Sequence, residues 1–428
     1  MTRDVDIVLF GATGFVGRLT AAHLAAHAPE SARIVLAGRN RHKLEALRRQ
    51  LPRAAASWEV AVADATEPTD LGPLAARATV VASAAGPYAR LGMPLVEACA
   101  VAGTHYCDLT GEVLFVRESM DAWHDTAAES GARIVHACGF DSVPSDLSVL
   151  VTADRVAADG EGELTTTVLS VRSLRGGVSG GTVDSMRQQA ITMGADPAAR
   201  EIVADPYSLS PDRAREPAAP REEPEAGSPV EQVLATLGGL ARKIPVQRDP
   251  ETGRWTGPFI MAPFNTRIVR RSNALLGWRY GRQFRYREVM DFGDGPRASV
   301  LASGLTAGLL GLQAAMSFEP ARAVLDKVLP KPGEGPDDKT RTAGRFRMVL
   351  QTTTSTGALY RTRFGADRDP GYSGTAVMFG EAALALAFDG DALPDAAGVL
   401  TPATGLGHAL VDRLIAQDFT IACDRGTA

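Results

Sequence analysis

Cysteine is scarce: the chain has four in 428 residues (Cys99, Cys107, Cys138 and Cys423), none at C-x-x-C or metal-ligand spacing. That excludes a disulfide framework, gives no reason to expect a metal site, and suits a reduced cytoplasm. Charge of one sign is lacking too. Lys and Arg total 45 against 50 Asp and Glu, a net charge of -5 that supplies no electrostatic reason for a nucleic-acid partner. A secretory leader is not expected, because Asp4 and Asp6 stand where a basic segment should be and the apolar run stops at Gly11. A cytoplasmic location is the expectation. Long hydrophobic runs are nearly absent, and the one uncharged stretch, Ala298 to Phe318, is diluted with Gly, Ala, Ser and Gln. Its large residues Leu301, Leu305, Leu309, Leu312 and Met316 recur at helical spacing, which predicts a helix packing that stripe against protein. Peripheral membrane or acyl-chain contact is the alternative.

What is present is a soluble globular composition, 45% hydrophobic and 22% charged, in a chain long enough for two domains. The first 140 residues alternate between short apolar runs and helical stretches. The runs are Asp6 to Phe10, Ala32 to Ala37, Glu59 to Ala63, Thr79 to Ala84, His105 to Cys107 and Arg133 to Cys138. Helix-like segments between them include Val16 to Ala28, Arg41 to Gln50, Pro94 to Ala102 and Ser119 to Ser130. Strand–helix repetition implies a parallel sheet covered on both faces, so the expectation is α/β: an N-terminal Rossmann domain, doubly wound, over 1–140. After Asp141 the pattern predicts an inserted mixed α/β domain over 141–370, for substrate or for a homodimer contact. A C-terminal helical return over 371–428 would follow. Asp196 to Pro229 holds seven prolines among many charges. It reads as a mobile surface excursion, continuing to about residue 250.

The loop Gly11-Ala12-Thr13-Gly14-Phe15-Val16-Gly17 follows the first strand and opens a helix, the context that makes a glycine pattern informative. Gly11 permits the tight exit, Gly14 lets a pyrophosphate approach the backbone, and Gly17 lets the helix pack close. The free N–H groups of the helix start favour phosphate. An acid at the end of the second strand would bind ribose hydroxyls; here the sequence is Gly38-Arg39-Asn40-Arg41, and Arg39 can fork onto a 2′-phosphate. NADPH is therefore the expected cofactor. Asp64 is placed to meet the adenine end or to cap the next turn. The small residues Ala85, Gly86 and Pro87 leave room for the nicotinamide ring, with Tyr88 the nearest hydroxyl for proton donation. Cys138 to Asp146 reads as a turn into a helix, with Ser142 as cap and with Asp141 and Cys138 facing the crevice. Tyr88 and Asp141 are the candidate catalytic residues. Seven arginines lie between Arg267 and Arg287, interleaved with aromatics. They read either as a solvated strand face or as a docking surface for an acidic partner.

Together with Gly86-Pro87-Tyr88, Asp108-Leu109-Thr110-Gly111-Glu112, Cys138 to Pro144, Arg175 to Thr182, Ala262 to Arg267, Asp369-Pro370-Gly371-Tyr372 and Leu400 to Ala403, the glycine loop makes the chain resemble the saccharopine dehydrogenase-like oxidoreductases. It resembles more closely their actinobacterial branch, the trans-acting enoyl reductases of polyketide-lipid synthesis. The resemblance implies NADPH-dependent reduction of a carbon–carbon double bond in an acyl chain on the carrier domain of a polyketide synthase. Two alternatives stay open: a saccharopine-type enzyme acting on a free amino-acid imine, and a non-catalytic dinucleotide-binding, lipid-associated protein.

Overall fold

The computed structural model describes residues 3–176, 180–216, 246–249, 253–317 and 343–426. Six parallel strands come first: β1 (Val5–Phe10), β2 (Ile34–Gly38), β3 (Glu59–Val62), β4 (Ala78–Ser83), β5 (His105–Asp108) and β6 (Arg133–Val135). β1, β2 and β4 are near-continuous apolar runs with almost every residue buried, the pattern of strands covered on both faces. The second unit holds β7 (Leu164–Arg175), β8 (Gln247–Arg248), β9 (Trp255–Pro258), β10 (Arg285–Gly293), β11 (Arg345–Thr354) and β12 (Leu359–Ala366).

The C-terminal part serves both units. β13 (Gly398–Leu400) pairs parallel with β6, and β14 (Thr420–Arg425) pairs antiparallel with β12. Two seven-stranded sheets result, ordered β13-β6-β5-β4-β1-β2-β3 and β14-β12-β11-β7-β10-β9-β8. The Rossmann sheet and the mixed second sheet agree with the reading of the sequence. The return, however, is not purely helical: three apolar residues, Gly398-Val399-Leu400, were too short a run to register as a strand.

The return also completes the core. Helix Thr375–Phe388 is buried over nearly its whole length and packs against helix Phe15–His27 and β4. His23 Nε2 and Glu381 Oε1 meet across that contact at 2.8 Å. Helix Val143–Ala158 leaves the carboxyl end of the first sheet and runs along β12 of the second. Thus the crevice between the sheets opens where β1, β4 and β6 end.

Two expectations are corrected here. Residues Asp196 to Glu216 are not a loose excursion. Asp196 caps helix Pro197–Ala204 by accepting from Ala198 N–H at 2.9 Å, and Leu209 is fully buried. Composition concealed this because the anchors lie on a distant helix, Ala262–Leu275. Arg270 donates to the Pro206 carbonyl at 2.9 Å and Arg271 to that of Leu209 at 2.9 Å, while Arg267 reaches the carbonyls of Val203 and Asp205. Of the remainder of that excursion, 246–249 hold β8, and 217–245 and 250 lie outside the described residues. At its start, helix Pro296–Ser317 turns two alanines inward instead of Leu301 and Leu305. Ala298 and Ala302 are buried while Leu301 is 62% exposed. Close approach explains the reversal: a side chain at Gly257 of β9 would lie 3.8 Å from the Ala302 carbonyl oxygen and 3.1 Å from Phe292. Among the described residues no helix is long and apolar enough to cross a membrane.

Candidate functional site

A cleft of about 560 Å³ opens at the carboxyl ends of the first sheet, between it and the second unit. Its walls include Gly11, Thr13, Gly14, Phe15 and Val16 of the first turn, Arg39 and Asp64 at the ends of β2 and β3, and Ala85, Gly86, Pro87 and Tyr88 beyond β4. Asp141 lines the same cleft. Sequence reasoning therefore brought together residues spread over 130 positions, because all follow strand ends of one parallel sheet.

The glycines divide the work as their spacing suggests. Gly11 sits at φ +74°, a left-handed conformation that favours glycine. At Gly17 a side chain would meet the Gly11 carbonyl and lie 2.9 Å from Ala12 Cα, so this glycine seats the helix on the loop. Gly17 and the buried Ala12 accordingly do not line the cleft. Gly14 is open apart from the Gly11 carbonyl oxygen at 3.2 Å, and no side chain caps the helix that starts there. Such a cradle, with a bare helix N-terminus, fits a pyrophosphate.

Arg39 is exposed at the rim, and Asn40 beside it caps the next helix by accepting from Lys43 N–H at 3.0 Å. Asp64 accepts from Thr66 N–H at 3.0 Å and from its hydroxyl at 2.9 Å. Those two hydrogen bonds hold its carboxyl below the usual range, so Asp64 caps a turn while it lines the cleft.

The catalytic candidates fare differently. The Tyr88 hydroxyl donates to the Ser83 carbonyl at 2.9 Å and accepts from Leu109 N–H at 3.2 Å. Burial and the nearby Asp108 carboxylate push its pKa well above the usual 10.0. Its proton is thus committed within the wall, and Tyr88 orders the end of β4. Asp141 has no hydrogen bond or ion pair among the described residues, and burial alone lifts its pKa to about 7. Cys138, expected to face the crevice, is fully buried with its Sγ 3.5 Å from the Val135 carbonyl oxygen. Ser142 stands at the helix N-cap, but its hydroxyl donates to Asn265 Oδ1 at 3.2 Å instead of capping. Asp146 accepts from the Ser272 hydroxyl at 2.6 Å and from Ala403 N–H at 2.8 Å, pinning three distant segments.

The arginine stretch is split by burial. Arg267 and Arg271 are buried as anchors, Arg279 pairs with Asp154 at 2.7 Å, and Arg282 lies over Trp278. Arg285 and Arg287 point outward from β10 and are exposed.

Several cleft residues escaped the sequence reading. Arg90 and Leu91 follow Tyr88 on a short helix, Asp184, Ser185 and Gln189 come from helix Gly180–Ala195, and Gly371, Tyr372 and Thr375 come from the C-terminal return. Tyr372 packs its ring edge against Phe15 at 4.7 Å, so the phosphate turn is walled by a residue 357 positions later in the chain. For Gly371 and Tyr372 the one signal was the Asp369-Pro370-Gly371-Tyr372 motif; the others lie in no motif that the sequence singled out.

Comparison with known proteins agrees with this geometry. Residues 7–135 match the saccharopine dehydrogenase NADP binding domain. A trans-acting enoyl reductase of Mycobacterium tuberculosis is 47% identical over 416 residues, covering 96% of each chain. That of Mycobacterium ulcerans is 46% identical over 428 residues, covering 99% of this chain and 98% of the relative. Among solved structures, apo saccharopine dehydrogenase (L-Glu forming) from Saccharomyces cerevisiae superposes with a TM-score of 0.52 at 14% identity, over 98% of this chain and 99% of that one. It shares the fold. With an NADP-binding domain and full-length kinship in one molecule, this chain is an NADP-dependent oxidoreductase and belongs to the trans-acting enoyl reductases of the saccharopine dehydrogenase-like family.

Proposed function

We propose that the chain reduces the α,β double bond of an enoyl thioester presented in trans on a polyketide synthase carrier domain. Relatives named trans-acting enoyl reductases support enoyl reduction in trans. The observation that supports the chemistry most directly is Asp141, a carboxyl held near neutrality in the same cleft as the phosphate cradle.

Gly11, Gly14 and the helix start at Phe15 would hold the pyrophosphate, Arg39 the 2′-phosphate, and Ala85, Gly86 and Pro87 the wall beside the nicotinamide. Bound NADPH supplies hydride. Asp141, raised by burial to about 7 and lining the cleft, would deliver the proton to the α-carbon of the reduced chain. Tyr88 keeps the wall in register from behind. A saccharopine-type amino-acid substrate would need cations for its carboxylates. Beyond Arg39, Arg90 is the one further cation among the described residues lining the cleft, which disfavours that reading.

The test is NADPH oxidation with a short enoyl thioester, with [4-²H]NADPH used to follow transfer to the β-carbon. Deuterium in the saturated product is the expected result. Oxidation absent with thioesters but present with an amino-acid imine would overturn the assignment. The outward Arg285 and Arg287 suit an acidic carrier. Reversing both to Glu should weaken turnover of carrier-bound substrate and reduce its salt sensitivity, while free thioester turnover holds. Equal loss on both substrates would refute docking there.

A further inference from the structure

Glu112 is 2% exposed, and no cation pairs with it among the described residues. Its carboxylate is nevertheless well supplied with donors. Oε1 accepts from Tyr88 N–H at 2.9 Å and Oε2 from Ala89 N–H at 2.8 Å, which caps the short helix Tyr88–Leu91. Capping explains those two bonds. It does not explain the third, in which the Ser185 hydroxyl donates to Oε1 at 2.7 Å. Ser185 belongs to helix Gly180–Ala195 of the second unit, and together with Asp184 and Gln189 it forms the opposite wall of the cleft.

Glu112 is held firmly enough to act as an anchor. Its own N–H donates to the Thr110 hydroxyl at 3.1 Å, and Thr110 N–H donates to Asp108 Oδ1 at 3.1 Å. Asp108 is fixed in turn by His136, whose Nδ1 lies 2.7 Å from Oδ2. Between these residues Gly111 leaves space for the candidate acid: a side chain there would sit 3.4 Å from Asp141 Oδ2. One short turn thus sets the loop beyond β4, the room around Asp141 and the reach of Glu112.

We infer that Glu112 is a positioning residue that ties the substrate-side helix Gly180–Ala195 to the cofactor-side loop Gly86–Ala89, with Ser185 as the detachable half of the tie. This inference rests on the enoyl-reductase reading for its substrate but not for its geometry. Removing Ser185 frees only the second-unit helix, whereas altering Glu112 also disturbs the loop. The two variants therefore separate.

The experiment measures NADPH Kd by fluorescence, KM and kcat with a short enoyl thioester, and hydrogen exchange over 184–195 in the NADPH-bound protein. Ser185→Ala should raise thioester KM about 3- to 10-fold, the range one lost hydrogen bond spans, with NADPH Kd unchanged and exchange over 184–195 faster. Ser185→Thr keeps the hydroxyl and should restore both readouts. Glu112→Gln turns an acceptor toward an N–H into a donor and should weaken NADPH binding as well as KM. If Ser185→Ala matches the unaltered protein in KM and exchange, there is no tie. If it weakens NADPH binding in step with KM, Ser185 serves the cofactor and the inference also fails. Should the unaltered protein not turn over enoyl thioesters, the substrate reading falls, while the exchange and Kd measurements still decide the tie.

Discussion

Replacing Asp141 by Asn should make the protein slower and, above neutral pH, more stable. The carboxyl has no partner among the described residues, and burial lifts its pKa from the ordinary 3.8 to about 7. At roughly 1.4 kcal/mol per pH unit of displacement, that gap corresponds to at most about 4.5 kcal/mol, and solvent reaching the cleft reduces it to about 2–4 kcal/mol. The sign follows from linkage. Because the folded pKa lies above the unfolded one, the stability associated with the neutral acid is complete below about pH 4 and is lost as pH rises through about 7. Asn carries no such cost. Thermal melts of both proteins at pH 5 and pH 8, without NADPH, should show Asp141→Asn gaining on the unaltered protein as pH rises. Activity should move the other way. With a general acid contributing roughly 10²- to 10⁴-fold, kcat should fall within that range, and the normal decline of kcat/KM above pH 7, roughly tenfold per pH unit, should vanish in the variant. If Asp141→Asn melts lower at pH 8, or if the normal enzyme keeps full activity to pH 9, the carboxyl is ionised and stabilised by a partner, and the argument from burial is wrong.

Arg39→Ala should erode discrimination for NADPH over NADH by about 10-fold or more, since one charge-assisted phosphate contact contributes roughly 1.5–3 kcal/mol. Paired titrations would refute the role if both cofactors lost affinity equally. Gly14→Val should abolish dinucleotide binding in a folded protein, because that side of the loop is open toward the cleft. Gly17→Val, whose side chain would press on Ala12 and Gly11, should instead lower thermal stability; the reverse assignment of defects would show the loop to be misread. Arg271→Ala leaves the Leu209 and Val399 carbonyls without their donor and should make residues 203–210 the first site of limited proteolysis. Unchanged cleavage there would mean that Arg271 does not anchor the segment.

Much of the cofactor half was determined by local pattern. Short apolar runs alternating with helical stretches imply a covered parallel sheet, and glycine at positions 11 and 17 marks where the backbone turns sharply or packs close. That Arg39 and Asp141 would share one cleft was legible for the same reason: each lies in a turn beyond a strand end, and in a parallel sheet all such turns share one edge. Only the tertiary structure decided the rest. Whether a hydroxyl is free to act depends on partners remote in sequence, and so Tyr88 moved from proton donor to wall when Ser83 and Leu109 claimed its oxygen. The charge-rich stretch after Asp196 looked unable to order itself, and alone it would be; arginines sixty positions later supply its missing partners. Which of the seven arginines turn inward was not legible, because a sequence shows charge but not which carbonyls lie within reach. Glu112 marks the limit most clearly. The Asp108-Leu109-Thr110-Gly111-Glu112 motif marked its position but not its role, which arises where two backbone N–H groups and a serine from another unit converge on one carboxylate.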